Sequence, residues 1–133
     1  FRGFNHGRGT NEMIRNLVNL KKKFDLFVDK WQPKVIAEMN DVQFKLVRVE
    51  GEFLWHQHAD TDEAFLVIEG ELEIDLPNQT VRLGEGEMFV VPKGVEHRPR
   101  AVTEAKIMLV EPRGVVNTGD IINEGSAPND VWI

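Results

Sequence analysis

Between Val35 and Glu111 the chain is a succession of short apolar runs broken by turn residues, and this punctuation limits the folds open to it. The runs read KVIAEM, VQFKLVRVE, EFLWHQH, EAFLVIE, ELEIDL, TVRL, EMFVV, VEHRPRAV and AKIMLVE, and the breaks read ND, G, ADTD, G, PNQ, GEG, PKG and TE. Runs of strand length, rich in Val, Ile, Leu and Phe and separated by turns at this spacing, argue for an antiparallel sandwich or barrel. No helix-length periodic segment interrupts them, so a parallel α/β sheet is not expected. The predicted class is all-β.

The flanks differ. IRNLVNL reads as a possible short strand, and KKKFDLFVDKW sets Phe24, Phe27, Val28 and Trp31 at helical spacing, with Pro33 barring any continuation of a helix. Residues 13–34 are therefore expected to pack on the barrel or to form a subunit contact. Residues 112–133, rich in Gly, Asn and Asp, are expected to wrap its outside, anchored by Val131, Trp132 and Ile133. Residues 1–12, polar and Gly-rich, are expected to be vector-derived or disordered, with Met13 a plausible native start; His6 is discounted as a site residue accordingly.

Composition removes several function classes. The 133 residues suffice for one domain, and their net charge of -6 opposes a nucleic-acid partner, which needs a basic face. With no cysteine there is no disulfide framework and no thiolate zinc site, which suits a cytoplasmic protein. No apolar run reaches the roughly 18–20 residues that cross a membrane.

Two of the four histidines, His56 and His58, stand one residue apart in WHQHADTDEAF. On a strand they share one face, about 7 Å apart at a rise of roughly 3.3 Å per residue, with Trp55 and Gln57 opposite. The ADTD loop reverses the chain so that Glu63 opens the next strand beside them. His97 follows 34 residues after Glu63, behind the PKG turn. Each alone has an ordinary explanation: an exposed pair, a solvated carboxylate, a hydrogen-bonded structural imidazole. Together, neutral imidazoles and one carboxylate make a set that suits Mn, Fe, Ni, Co, Cu or Zn.

The spacing resembles a known family. Gly51-x4-His56-x-His58-x4-Glu63-x6-Gly70 is similar to the first motif of the cupin superfamily, and Gly86-x5-Pro92-x-Gly94-x2-His97 to the second. The first motif is one residue shorter than usual between Gly51 and His56, and Ala101 stands where the second usually closes with asparagine. The resemblance covers residues from about 35 to 111. It is to small single-domain cupins of the cupin 2 conserved-barrel type, loosely called mannose-6-phosphate-isomerase-like. It implies a double-stranded β-helix, a small jelly-roll barrel over residues 35–111, with one divalent transition metal held by His56, His58, Glu63 and His97. It also implies a homodimer.

Four protein ligands on an ion that prefers six leave positions open, which marks a catalytic or ligand-binding centre. Lewis-acid chemistry of isomerase or dioxygenase type on a small molecule is the leading expectation; non-enzymatic binding or sensing of a small ligand is the alternative. Leu54, Phe65 and Val67 are in phase with the motif residues, and Phe44, Leu46, Met88 and Val90 are further lining or core candidates. Both faces of AFLVI are apolar, so its outer face should also be covered. Arg48, Arg98 and Arg100 either meet an anionic substrate or form surface ion pairs, the latter favoured. Asp60 and Asp62 are expected to terminate the turn. GEGE at 84–87 is read as a turn and not a nucleotide loop, because no helix follows it.

Overall fold

The apolar runs form strands by burying alternate residues on one barrel interior. The computed structural model describes residues 16–120 and 125–133, so the expectations for residues 1–12 and His6 lie outside the described residues. The strands are β1 (Lys34–Met39), β2 (Val42–Glu52), β3 (Glu63–Glu69), β4 (Leu72–Leu76), β5 (Gln79–Leu83), β6 (Met88–Val91) and β7 (Arg98–Pro112), preceded by a helix α1 (Leu20–Phe24). Every pairing between them is antiparallel, in the order β1-β2-β7-β3-β6, with β4 pairing both β5 and β7.

β7 organises the sheet. Its C-terminal half pairs β2 and β3 (Leu109 opposite both Lys45 and Phe65), and its N-terminal end pairs β4 (Pro99 opposite Ile74). VEHRPRAV and AKIMLVE were expected to be two strands broken at TE; instead one fifteen-residue strand runs through from Arg98. Val49 pairs with Ala105 and Gly51 with Ala101, so residues 102–104 bulge outward while pairing continues on both sides. Glu104 in this bulge is held by ion pairs with Arg48 and with Lys30 (2.9 Å), which keep the bulge against β2.

The interior holds Val47, Val49, Phe65, Val67, Leu72, Ile74, Leu83, Val91, Ala105, Ile107 and Leu109. A second cluster lies on the other face of β1 and β2, where Phe24, Phe27, Ile36 and Leu46 are buried and Phe44, Ile68, Met108 and Ile133 pack against them. Ile68 puts the outer face of AFLVI against this cluster. Leu46 and Phe44 therefore belong to the outer cluster, while Met88 (61% exposed) and Val90 (46%) point outward from the edge strand β6.

The N-terminal segment departs from its periodicity. α1 is a single turn capped by Asn19, whose side chain accepts from the Lys22 N–H at 2.9 Å, and it ends at Asp25. Trp31 adopts φ 60°, which no right-handed helix allows, so the helical spacing of Phe27 and Trp31 reflects packing on the barrel and not a helix, and Val28 is exposed. Described residues 16–19 form no strand. At the other end, the Val35 N–H donates to Val131 O (2.7 Å) and the Ile133 N–H to Val35 O (3.2 Å), covering part of the β1 edge. Among the described residues no helix is long and apolar enough to cross a membrane.

Phe24 is 1% exposed in the outer cluster, so Phe24→Ala is expected to cost about 3–5 kcal/mol in urea unfolding. A loss below about 1 kcal/mol would show that this segment adds little to the fold.

Candidate metal centre

The HQH segment was expected to be a strand, and the structure corrects this: β2 stops at Glu52 and only His56 makes a ladder contact, an isolated bridge to His97. The His56 N–H donates to His97 O (3.0 Å) and the His97 N–H to His56 O (2.9 Å), while the Gly94 N–H donates to His58 O (2.8 Å). A segment with so few partners stays extended without joining a sheet. The alternation survives: His56 and His58 are buried, Trp55 and Gln57 exposed.

The C-terminal segment holds the other side. The Asp120 N–H donates to Gln57 O (3.2 Å), and the Asp120 carboxylate accepts from the Ala59 N–H (3.2 Å). Gly119 (φ +70°) makes this approach possible, since a Cβ there would stand 2.1 Å from Gln57 O. Across the turn, the Lys93 N–H donates to Asp62 Oδ1 (2.9 Å), while Asp60 is exposed.

His56, His58, Glu63 and His97 are all buried, and one ligand atom from each lies within 4.8 Å of the others. That span is comparable to twice the metal–ligand bond of about 2.0–2.2 Å. Nδ1 of His56 lies 3.0 Å from Leu54 O, and Nδ1 of His97 lies 2.9 Å from Val95 O. A carbonyl only accepts, so each Nδ1 carries the proton and each neutral ring turns the lone pair of Nε2 inward. His97 Nε2 then meets Glu63 Oε1 at 3.2 Å. His58 Nε2, buried without a hydrogen-bond partner, lies 3.3 Å from the same oxygen. A lone pair facing a carboxylate in a buried site, beside the partnerless His58 Nε2, calls for a cation between them, and this donor set fits one divalent transition metal.

Burial, followed by repulsion from His97, lowers the His56 imidazole to a pKa of about 4. Behind Glu63 stands a pair that sequence reasoning did not single out. Lys45 and Glu111 are both buried, with Nζ 2.7 Å from Glu111 Oε2 and 3.3 Å from Val115 O. Burial, then the charge of Glu63, pushes Glu111 well above the ordinary carboxylate range. Strand alternation was the available signal, because Lys45 is in phase with the inward Val47 and Val49, and Glu111 with Ile107 and Leu109.

An open pocket with about 330 Å³ of empty space, its mouth included, reaches His56 and Glu63; its wall includes Trp31, Val49, Phe53, Phe65, Pro99, Ile107, Leu109 and Asn117. Of the expected lining, Phe65 is present and Val67 is core. The three arginines lie elsewhere. Arg98 and Arg100 both bind Asp75 (2.8 Å each), and Arg48 is engaged by Glu104 and the Phe24 carbonyl.

Fold and site together define a small antiparallel β-barrel with an interior histidine–carboxylate cluster that can hold a metal ion. Residues 45–111, just over half of the 133, match the family model described as "Cupin domain", and the chain belongs to that family. A cupin-2 domain containing protein from Shewanella frigidimarina is 59% identical with a TM-score of 0.75, over 76% of this chain and 99% of that one. A Neisseria meningitidis protein of known structure is 34% identical with a TM-score of 0.67, over 72% of this chain and 98% of that one. Bacillus subtilis YdbB is 40% identical over 57% of this chain and 68% of its own length.

Removing one member of a buried ion pair strands the other. Lys45→Met is expected to cost about 3–5 kcal/mol in urea unfolding, and Lys45→Met with Glu111→Leu to recover most of it. A second expectation concerns the metal-free protein, whose His56 ring should titrate near pH 4 by NMR. The unfolded ring protonates near 6.5 and the folded ring does not, so this group's contribution to stability is full above that value. It declines as pH falls from about 6.5 to about 4, and a His56 midpoint at 6.5 would contradict its burial.

Proposed function

We propose that His56, His58, Glu63 and His97 bind one divalent transition metal and that the protein acts on a small molecule by Lewis-acid metal chemistry of isomerase or dioxygenase type. The observation that carries this reading is the convergence of the Nε2 atoms of His97 and His58 on Glu63 Oε1 (3.2 and 3.3 Å). Such a metal supplies polarisation of a bound oxygen. The protein's own residues do the rest: the carbonyls of Leu54 and Val95 set the tautomers, the Gly119–Asp120 strap steadies the HQH segment, and the apolar wall limits water around the ligand.

A non-enzymatic ligand-binding barrel uses the same pocket; it differs in releasing every bound compound unchanged. The domain reading sets residues 35–111 as the barrel, 13–34 as a packing or dimer segment and 112–133 as a wrapping segment. The homodimer is supported by Met88 and Val90, exposed on edge strand β6. The absence of cysteine is compatible with the cytoplasm.

Elemental analysis after reconstitution tests the metal. About one equivalent per chain is expected, and less than about 0.1 would overturn the reading. His58→Ala should lose the metal and keep the wild-type far-ultraviolet circular dichroism, because neutral imidazole is one of the ligands; full occupancy in that variant would show the assignment to be wrong.

A further inference from the structure

The pocket beside the cluster has few polar groups left to offer. The Asn117 amide nitrogen donates to the carbonyls of Trp31 and Gly125 (3.1 Å each), and its oxygen accepts from the Ala127 N–H (2.8 Å). The Trp31 indole N–H donates to Glu50 O (3.0 Å). Among the described residues, the side chains that remain in the wall apart from His56 and Glu63 are Val49, Phe53, Phe65, Pro99, Ile107 and Leu109, all apolar. Among the described residues no arginine or lysine lines it.

One part of this wall is built with care. Trp31 and Phe53 stack with ring centroids 4.8 Å apart and planes at 21°, and Phe53 meets the His56 ring edge-on at 5.5 Å. Trp31 adopts the left-handed backbone region, unusual for a bulky side chain. Its N–H donates to Arg48 O (2.8 Å), and its carbonyl and indole are engaged as above. Both sides of the residue are thus tied down, and the aromatic platform stands formed before any ligand arrives.

We infer that the ligand of this centre is a small molecule whose oxygen atoms meet the His56–His58–Glu63–His97 cluster and whose remainder is an apolar, ring-bearing group packed against Trp31 and Phe53. Trp31 is the specificity-determining residue. A sugar or phosphate ester would bury hydroxyl or phosphoryl oxygens against a wall whose described side chains offer no free donor beyond the cluster, which is costly. An aromatic or alicyclic group loses nothing there and gains the burial of its ring. This inference rests on the metal reading above and narrows the substrate class it leaves open.

Three 2-hydroxy acids offer a metal the same hydroxyl and carboxylate and differ in the rest: mandelate carries a phenyl group, lactate a methyl group and 3-phosphoglycerate a phosphate ester. Each is titrated by calorimetry into protein loaded with the divalent metal it retains, with metal content measured on the same sample. Mandelate is expected to bind at least about tenfold more tightly than either of the others, as burial of the added ring predicts. Trp31→Ala should bring mandelate to within about threefold of lactate, and Trp31→Phe, which keeps a ring, should restore part of the difference. Equal affinities, preference for 3-phosphoglycerate, or no binding by metal-loaded protein would overturn the inference and leave the metal reading standing. Failure to take up metal would overturn both, and the metal analysis separates the two failures. The wild-type series decides the matter even if a Trp31 variant does not fold.

Discussion

The architecture depends on β7 serving as a shared wall. It pairs β2 along most of its length and β3 and β4 at its two ends, so it joins the strands that enclose the interior. Antiparallel pairing puts inward side chains of adjacent strands side by side, which is how Leu109 meets Phe65 and Ile107 meets Val67. The bulge at residues 102–104 lets β2 and β7 stay paired through the bend. Just before β7 begins, His97 bridges back to His56, so the pairing that builds the barrel also brings the two motif segments together.

The same interior contains charge that water cannot reach. Glu63, Glu111 and Lys45 are buried with three imidazoles, an expensive arrangement without close partners. Lys45 meets Glu111, and Glu63 faces the Nε2 atoms of His58 and His97. This polar end adjoins an apolar one formed by Val47, Val49, Phe65 and Ile107. The division sets polar atoms at the cluster and apolar surface beside it.

Much of this was legible in the chain, and the failures have physical causes. The runs that form β1 and β3 to β6, and the turns between β3 and β6, were readable because half-buried strands alternate and because turns use Gly, Pro and Asn, whereas the break expected at Gly51 lies inside β2. The break expected at TE failed because a bulge and a turn use similar residues, and only the pairing partner distinguishes them. The helical spacing of Phe27 and Trp31 misled because two elements packing on one barrel can imitate a periodic face. Met88 and Val90 were read as inward, but hydrophobicity does not say which side of an edge strand is covered.

The sequence by itself determined the strand content, the alternation that turns His56 and His58 the same way, and the motif spacing that singles out these two with Glu63 and His97. These are local properties, set by backbone geometry and residue type. Only the tertiary structure decided that the four meet within 4.8 Å, that Lys45 and Glu111 lie behind them, and that Trp31 reaches the pocket from outside the barrel strands. Those facts depend on pairings between residues far apart in the chain, such as Lys45 with Glu111 and Trp31 with Asn117. No local pattern records which distant segment will supply the other half of a contact.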